Sequence, residues 1–172
     1  MGINKQGVIN MNGSPNPNLA IDSLKNIAPT ALYNIANFNT SETLTAGNKY
    51  TVVIKGTIGD DKKFGIWLGG GATRVGWFTN NEDGTFITTF TSPNSIGGNG
   101  SRTGINIYAY PSSNSNKSSL EWLKLENGEI PTLWIPNVND DIYVGSSGFI
   151  ENNDICKIQK QGYIQSPEFI EI

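Results

Sequence analysis

Between residues 49 and 126 one pattern recurs: a short run of alternating apolar and polar residues, closed by a cluster rich in glycine, asparagine, aspartate or serine. Alternation with period two puts successive side chains on opposite faces of an extended chain, so each run reads as a strand with one greasy face. In Lys49–Ile58, Tyr50, Val52 and Ile54 share a face, with Thr51, Val53, Lys55 and Thr57 opposite. Phe64, Ile66 and Leu68 oppose Trp67, and a short run at Arg74–Phe78 follows Gly69-Gly70-Gly71. Phe86 and Phe90 oppose Thr85, Ile87 and Thr89, while Ile105 and Ile107 oppose Asn106, Tyr108 and Tyr110. Turn signals separate the runs at Ala46-Gly47-Asn48, Gly59-Asp60-Asp61, Asp83-Gly84, 97–100 and 112–119. Such spacing predicts an all-β, antiparallel β-sandwich. The one helical candidate, Ala20–Asn26, is short and poorly patterned.

Leu120–Pro136 (LEWLKLENGEIPTLWIP) closes this region. Leu120, Trp122, Leu123 and Leu125 form a strand of mixed faces, and Asn127-Gly128 supplies the positive φ of a sharp reversal. Pro131 and Pro136 then block helix and favour an extended exit, with Trp134 as an apolar anchor between them. With 20 glycines and 8 prolines against 37% hydrophobic residues, the composition fits a turn-rich β protein. Three regions separate: a polar arm and linker at 1–18, ending in the breaker run Asn12–Asn18, a sandwich domain at 19–137, and a tail at 138–172.

Several motifs carry a resemblance. KLENGEIPTLWIP resembles the KLE-(K/N)-G-x-x-x-T-x-W-x-P ending of jelly-roll domains in phage tail and baseplate proteins. Leu44–Val52 (LTAGNKYTV) and Gly84–Thr91 (GTFITTFT) are similar to two strands of carbohydrate-binding-module jelly rolls, in the same order. Pro17-Asn18-Leu19-Ala20 matches the opening of such modules, without the Gly-Trp that often follows. The resemblance implies a jelly roll in a tail fibre or baseplate protein of a phage of Gram-positive bacteria. It implies tail subunits as partners, a host cell-envelope glycan as ligand, and the virion as location. A structural Ca²⁺ is known in many such modules, but no cofactor is expected for this chain.

The two ends share I-(N/Q)-K-Q-G-x-I-(N/Q), at Ile3–Asn10 and Ile158–Gln165. Each reads as a β-hairpin arm. The second continues into Ser166–Ile172, similar to a strand of phage tail fibre and baseplate chains. A terminal strand carrying Phe169, Ile170 and Ile172 cannot bury both of its faces on one small domain. It is expected to hold a homo-oligomer, with a trimer the symmetry considered, through Tyr163, Ile164, Phe169, Ile170 and Ile172. The alternative is an edge strand added to the sandwich.

Several chemistries are disfavoured. A net charge of −3 opposes binding to a nucleic-acid backbone. Histidine is absent, which removes the commonest general base and metal ligand. No apolar run is long enough to span a membrane, and Met1–Gln6 leads into polar sequence without a signal peptide, so synthesis in the cytosol is expected. Cys156 is the sole cysteine and reads as a small, partly buried residue. Asp60-Asp61 and Asp140-Asp141 offer carboxylates suited to Ca²⁺ but lack a recognisable ligand spacing, so solvated turns are expected. Glu121 and Glu126 do not define a glycosidase pair, and the glycine runs at 69–71 and 97–100 open no phosphate-binding helix. No catalysis is expected.

What remains is a surface. Trp67, Arg74, Asn106, Tyr108 and Tyr110 lie opposite the apolar stripes, with Thr51, Lys55 and Thr88 placed beside them by parity. Sugars present apolar C–H faces and hydroxyl edges, which flat aromatics flanked by hydrogen-bonding groups recognise. Trp67, Tyr108 and Tyr110 are the expected platforms, with Arg74 and Asn106 reading hydroxyls. Two alternatives are an architectural subunit whose aromatic face is a protein interface, and a carbohydrate module of a secreted enzyme system. Only one of Trp77 and Phe78 can be buried; Trp122 and Trp134 are assigned to structure, with a place on the binding surface as the alternative for Trp122.

Overall fold

The computed structural model describes residues 15–81 and 83–140. The arms at Ile3–Asn10 and Ile158–Gln165, the five contact residues assigned to the tail, Asp141 and Cys156 lie outside the described residues. Nine strands follow in order: β1 (Ile27–Thr30), β2 (Asn34–Asn39), β3 (Lys49–Thr57), β4 (Lys63–Leu68), β5 (Thr73–Trp77), β6 (Thr79–Asn80), β7 (Thr85–Thr91), β8 (Gly104–Tyr110) and β9 (Ser118–Asn127). They form two antiparallel sheets, one in the order β1-β9-β3-β7-β6 and the other β2-β8-β4-β5. Among the described residues there is no helix. The protein is an all-β sandwich, as the alternation predicts.

The inner faces are those the parity assigns. Tyr50, Val52 and Ile54 of β3 and Phe86 and Phe90 of β7 are buried with Phe64, Ile66 and Leu68 of β4 and Ile105 and Ile107 of β8. Phe64 meets Phe86 edge-on across the layers, ring centres 4.9 Å apart. Each large apolar side chain closed off in this way stabilises the fold by about 1.5–3 kcal/mol. The mixed faces of β9 have a local cause. Lys55 pairs with Trp122 but Gly56 pairs with Leu120, so Glu121 is an extra residue in a bulge. The bulge returns Leu120, Leu123 and Leu125 to the core while Trp122 points outward.

Ala20–Asn26 is a turn, not a helix. Leu19 and Ile21 donate their N–H groups to Leu125 O and Asn39 O, which ties the chain to two strands, and Asp22 takes a left-handed φ of 57°. A right-handed helix has no place for the left-handed φ at Asp22.

The segment after β9 folds back over the outer face of the five-stranded sheet. Gly128, at φ 98°, makes the reversal, and its N–H donates to Lys49 O. Asn18 holds β9 and the returning segment together, since its side-chain amide donates to Leu123 O and Ile135 O while its oxygen accepts from Ala20 N and Leu125 N. Asp140 was expected in a solvated turn but is only 4% exposed. Its carboxylate accepts from Asp22 N, Ser23 N, Ser23 Oγ and Asn137 N. Those lone pairs serve N–H and O–H donors, which draws the end of the described chain onto its beginning.

Candidate functional site

The outer face of the four-stranded sheet is built in rows set by strand register. Lys63 stands opposite Tyr110 in the first row. Trp77, Gly65, Tyr108 and Asn34 cross the second, and Arg74, Trp67, Asn106 and Asn37 the third. These rows carry no aspartate or glutamate. Two irregularities decide their membership. A register shift in the β4–β5 pair sets both Trp77 and Arg74 on the outer face. A second shift, between Asn34 and Ala36, puts Asn34 outside beside Asn37 while Ile35 and Ala36 are buried.

The rings form one contiguous patch. Trp67 lies 4.7 Å from Tyr108 and 5.6 Å from Trp77, centre to centre, and Trp77 lies 5.4 Å from Tyr110. Tyr33 completes it, 4.7 Å from Tyr108 and 6.4 Å from Tyr110. Trp77 meets Trp67 and Tyr110 edge-to-face, at 90° and 61°, an arrangement aromatic quadrupoles favour, while the Tyr33–Tyr108, Tyr33–Tyr110 and Trp67–Tyr108 pairs are tilted by 55–59°. Gly65 is what lets the patch close. A Cβ there would meet Trp67 Cζ3 at 2.5 Å and Trp77 Cε3 at 2.8 Å, so the indoles occupy the space a side chain would take. Tyr110 is the most open ring, 43% exposed, while Trp67, Trp77, Tyr33 and Tyr108 are half-buried. Burial among these neighbours, with Tyr33 beside it, pushes the Tyr108 phenol above its usual 10.0.

Beyond the third row the patch opens onto a polar cleft of about 210 Å³ that shares Asn37 and Asn106 with it. Asn39, Asn99, Ser101 and Thr103 add further polar groups to its lining, beside Phe38, Ile105 and two glycines. Asn34 and Asn106 both donate to Asn37 Oδ1. The Asn106 carbonyl oxygen and the Asn37 amide nitrogen make no hydrogen bond among the described residues. The surface therefore offers flat apolar rings next to amides and hydroxyls, an arrangement that can stack on a C–H face and bond its edge.

Trp67, Arg74, Asn106, Tyr108 and Tyr110 are thus brought together on one face, as placed by sequence. Thr51, Lys55 and Thr88 are not with them. Thr51 and Lys55 belong to the other sheet, where the Thr51 hydroxyl donates to Gly128 O at 2.8 Å and the Lys55 ammonium to Asp83 O. Thr88 shares the inward face of β7 and is 8% exposed. Parity separates inside from outside but not one sheet from the other. Sequence reasoning also passed over Tyr33, Lys63, Asn34 and Asn37. The odd-numbered parity of β4 was enough to find Lys63; Tyr33 precedes β2 and joins only because its carbonyl accepts from Ala109 N. Phe78, not Trp77, is the buried member of that pair. Trp122 and Trp134 pack on each other, 5.4 Å apart, on the opposite side of the sandwich.

No protein-family model matches this chain, and no curated protein matches it.

Proposed function

We propose that the chain is a non-enzymatic, saccharide-binding structural protein of a phage tail or baseplate. The observation that carries the binding half is the ring patch of Tyr33, Trp67, Trp77, Tyr108 and Tyr110 opening onto the asparagine-lined cleft. The tail half rests on the resemblance at Lys124–Pro136 and on the paired terminal motifs. Strand order supports a jelly-roll reading: β1-β9-β3-β7 and β2-β8-β4-β5 interleave so that the chain crosses between layers at most connections. A single shallow site of this kind binds weakly, and a Kd near 1 mM is only about −4 kcal/mol. Display of several copies on one particle raises avidity by roughly 10²–10⁴ where geometry allows simultaneous contact.

A glycan array with the full chain tests the binding half. Binding that is lost in Trp67→Ala and Tyr108→Ala and kept in Trp122→Ala is the expected result. A second reading, an architectural subunit whose aromatic face is covered by a neighbour, draws on the mutual packing of half-buried rings. Absence of glycan binding, together with protection of this face in the assembled oligomer, selects it. Native mass measurement of the full chain and of a chain lacking Ser166–Ile172 tests assembly. An oligomer that becomes a monomer on truncation is expected; a monomer in both cases removes the assembly role of the tail.

A further inference from the structure

A neutral sugar leaves two charges on the aromatic face without a task. Lys63 Nζ stands 4.1 Å from the centre of the Trp77 ring and 5.7 Å from that of Tyr110. The Arg74 guanidinium stands 4.6 Å from the same Trp77 ring. Both side chains are exposed, and among the described residues neither has a carboxylate within 4 Å. The ion pairs found there, Lys49–Glu129 and Lys124–Glu126, lie on the other sheet. Among the described residues this face thus carries two cations and no acid, in a chain of net charge −3.

Trp77 thereby has a second role. Two cations held against an indole are less hydrated and less free to rotate than isolated lysine and arginine, so less ordering is lost when they meet an anion. With its ring occupied by its own cations, Trp77 is a positioning residue for charge, and stacking falls to Trp67, Tyr108 and Tyr110. Register sets the cations at the borders of that platform, Lys63 beside Tyr110 and Arg74 beside Trp67. We propose that the ligand is an anionic saccharide: a pyranose ring stacks on the Trp67–Tyr108–Tyr110 surface while a phosphate, sulfate or uronate carboxylate on it meets Lys63 or Arg74. This rests on the saccharide reading above and narrows it to a class.

The test is a glycan array in which neutral saccharides sit beside their sulfated, phosphorylated and uronate counterparts, read at low and high salt. The full chain is compared with Lys63→Gln/Arg74→Gln and with Trp67→Ala. The charged member of a pair should bind roughly tenfold tighter than its neutral parent, with the advantage shrinking as salt screens it. The arm that wins identifies which anion is preferred. The Gln/Gln variant, both of whose sites are solvent-facing, should keep the wild-type far-ultraviolet circular dichroism and lose the preference for the charged member of each pair, the ratio within a pair being read whatever the change in neutral-parent affinity. Neutral parents binding as tightly as charged members, or a preference that survives in the Gln/Gln variant, overturns the anionic class and leaves the platform standing. Failure of every probe, or binding indifferent to Trp67→Ala, overturns the platform and this inference with it.

Discussion

Lys124 Nζ stands 3.3 Å from Glu126 Oε2 with both side chains closed to solvent, on what would otherwise be the open face of the five-stranded sheet. Two residues apart on a strand, they share that face. Thr132 completes the cluster: its N–H donates to Glu126 Oε1 at 2.8 Å and its hydroxyl to Oε2 at 2.6 Å. Lys124 donates to the Thr132 hydroxyl oxygen and to Leu133 O at 2.6 Å. Lysine, glutamate and threonine of the KLENGEIPT run thus weld the returning segment to the sheet, and Trp134 on Trp122 closes the lid.

A buried charge stripped of its partner is costly, so Glu126→Ala should lower unfolding free energy by about 3–5 kcal/mol. Lys124→Met/Glu126→Met removes both charges at similar bulk and should cost less than the sum of its single substitutions. Urea denaturation of the wild type, Glu126→Ala, Lys124→Met, Glu126→Met and the double variant checks this. A double variant as unstable as the two losses added would mean the charges do not interact.

The same lysine should shape alkaline stability. Loss of hydration is the main cause that pushes Lys124 below its usual 10.5, with Glu126 pulling the other way. The folded chain then releases this proton at lower pH than the unfolded chain does. Between the lowered value and 10.5 the unfolded state holds more protons, so Lys124 makes stability rise with pH across that window. Lys124→Met should remove this contribution, and the difference between the two stability curves, measured by denaturant titration from neutral to alkaline pH, should slope accordingly. A flat difference would contradict the lowered value.

Tyr108 acts with the opposite sign. Its phenol is raised above 10.0, so at alkaline pH the folded chain keeps a proton that the unfolded chain has lost. Stability associated with it is present below 10.0 and falls as pH rises through the folded value. Ultraviolet titration of tyrosinate should show a late-ionising group that vanishes in Tyr108→Phe. Tyr33→Phe, which removes a neighbouring ionisable phenol, should move that group back toward 10.0.

Period-two alternation carried the sandwich and most of the aromatic face, because inward and outward are local properties of a strand. Trp67, Tyr108 and Tyr110 needed nothing more. Assignment to a layer is not local, and Thr51 and Lys55 were misplaced for that reason, whereas Thr88 shares the parity of Phe86 and Phe90 and lies inside with them. Tyr33 and Trp77 escaped because one lies before its strand and the other beside a register shift. The burial of Lys124 and Glu126 was equally hidden: on parity they are solvent-facing polar residues, and only the segment folding back from Gly128 covers them. Asp140 failed as an exposed turn residue because its four donors come largely from residues 22 and 23, more than a hundred positions away.

Gly65→Ala isolates the geometry of the aromatic face from its chemistry. It changes no ring, charge or amide, yet its Cβ would fall on Trp67 Cζ3 and Cη2, at 2.5 and 2.8 Å, and on Trp77 Cε3 at 2.8 Å. The rings must part. Overpacking of this kind costs about 1–3 kcal/mol, which a sandwich of this size should survive folded. Near-ultraviolet circular dichroism should therefore change while the far-ultraviolet β signal does not. Displacing Trp77 also carries Lys63 and Arg74 away from their borders, so saccharide binding should weaken at least as much as in Trp67→Ala. Unchanged binding with a changed near-ultraviolet spectrum would show that the closed arrangement over Gly65 is not what the ligand meets.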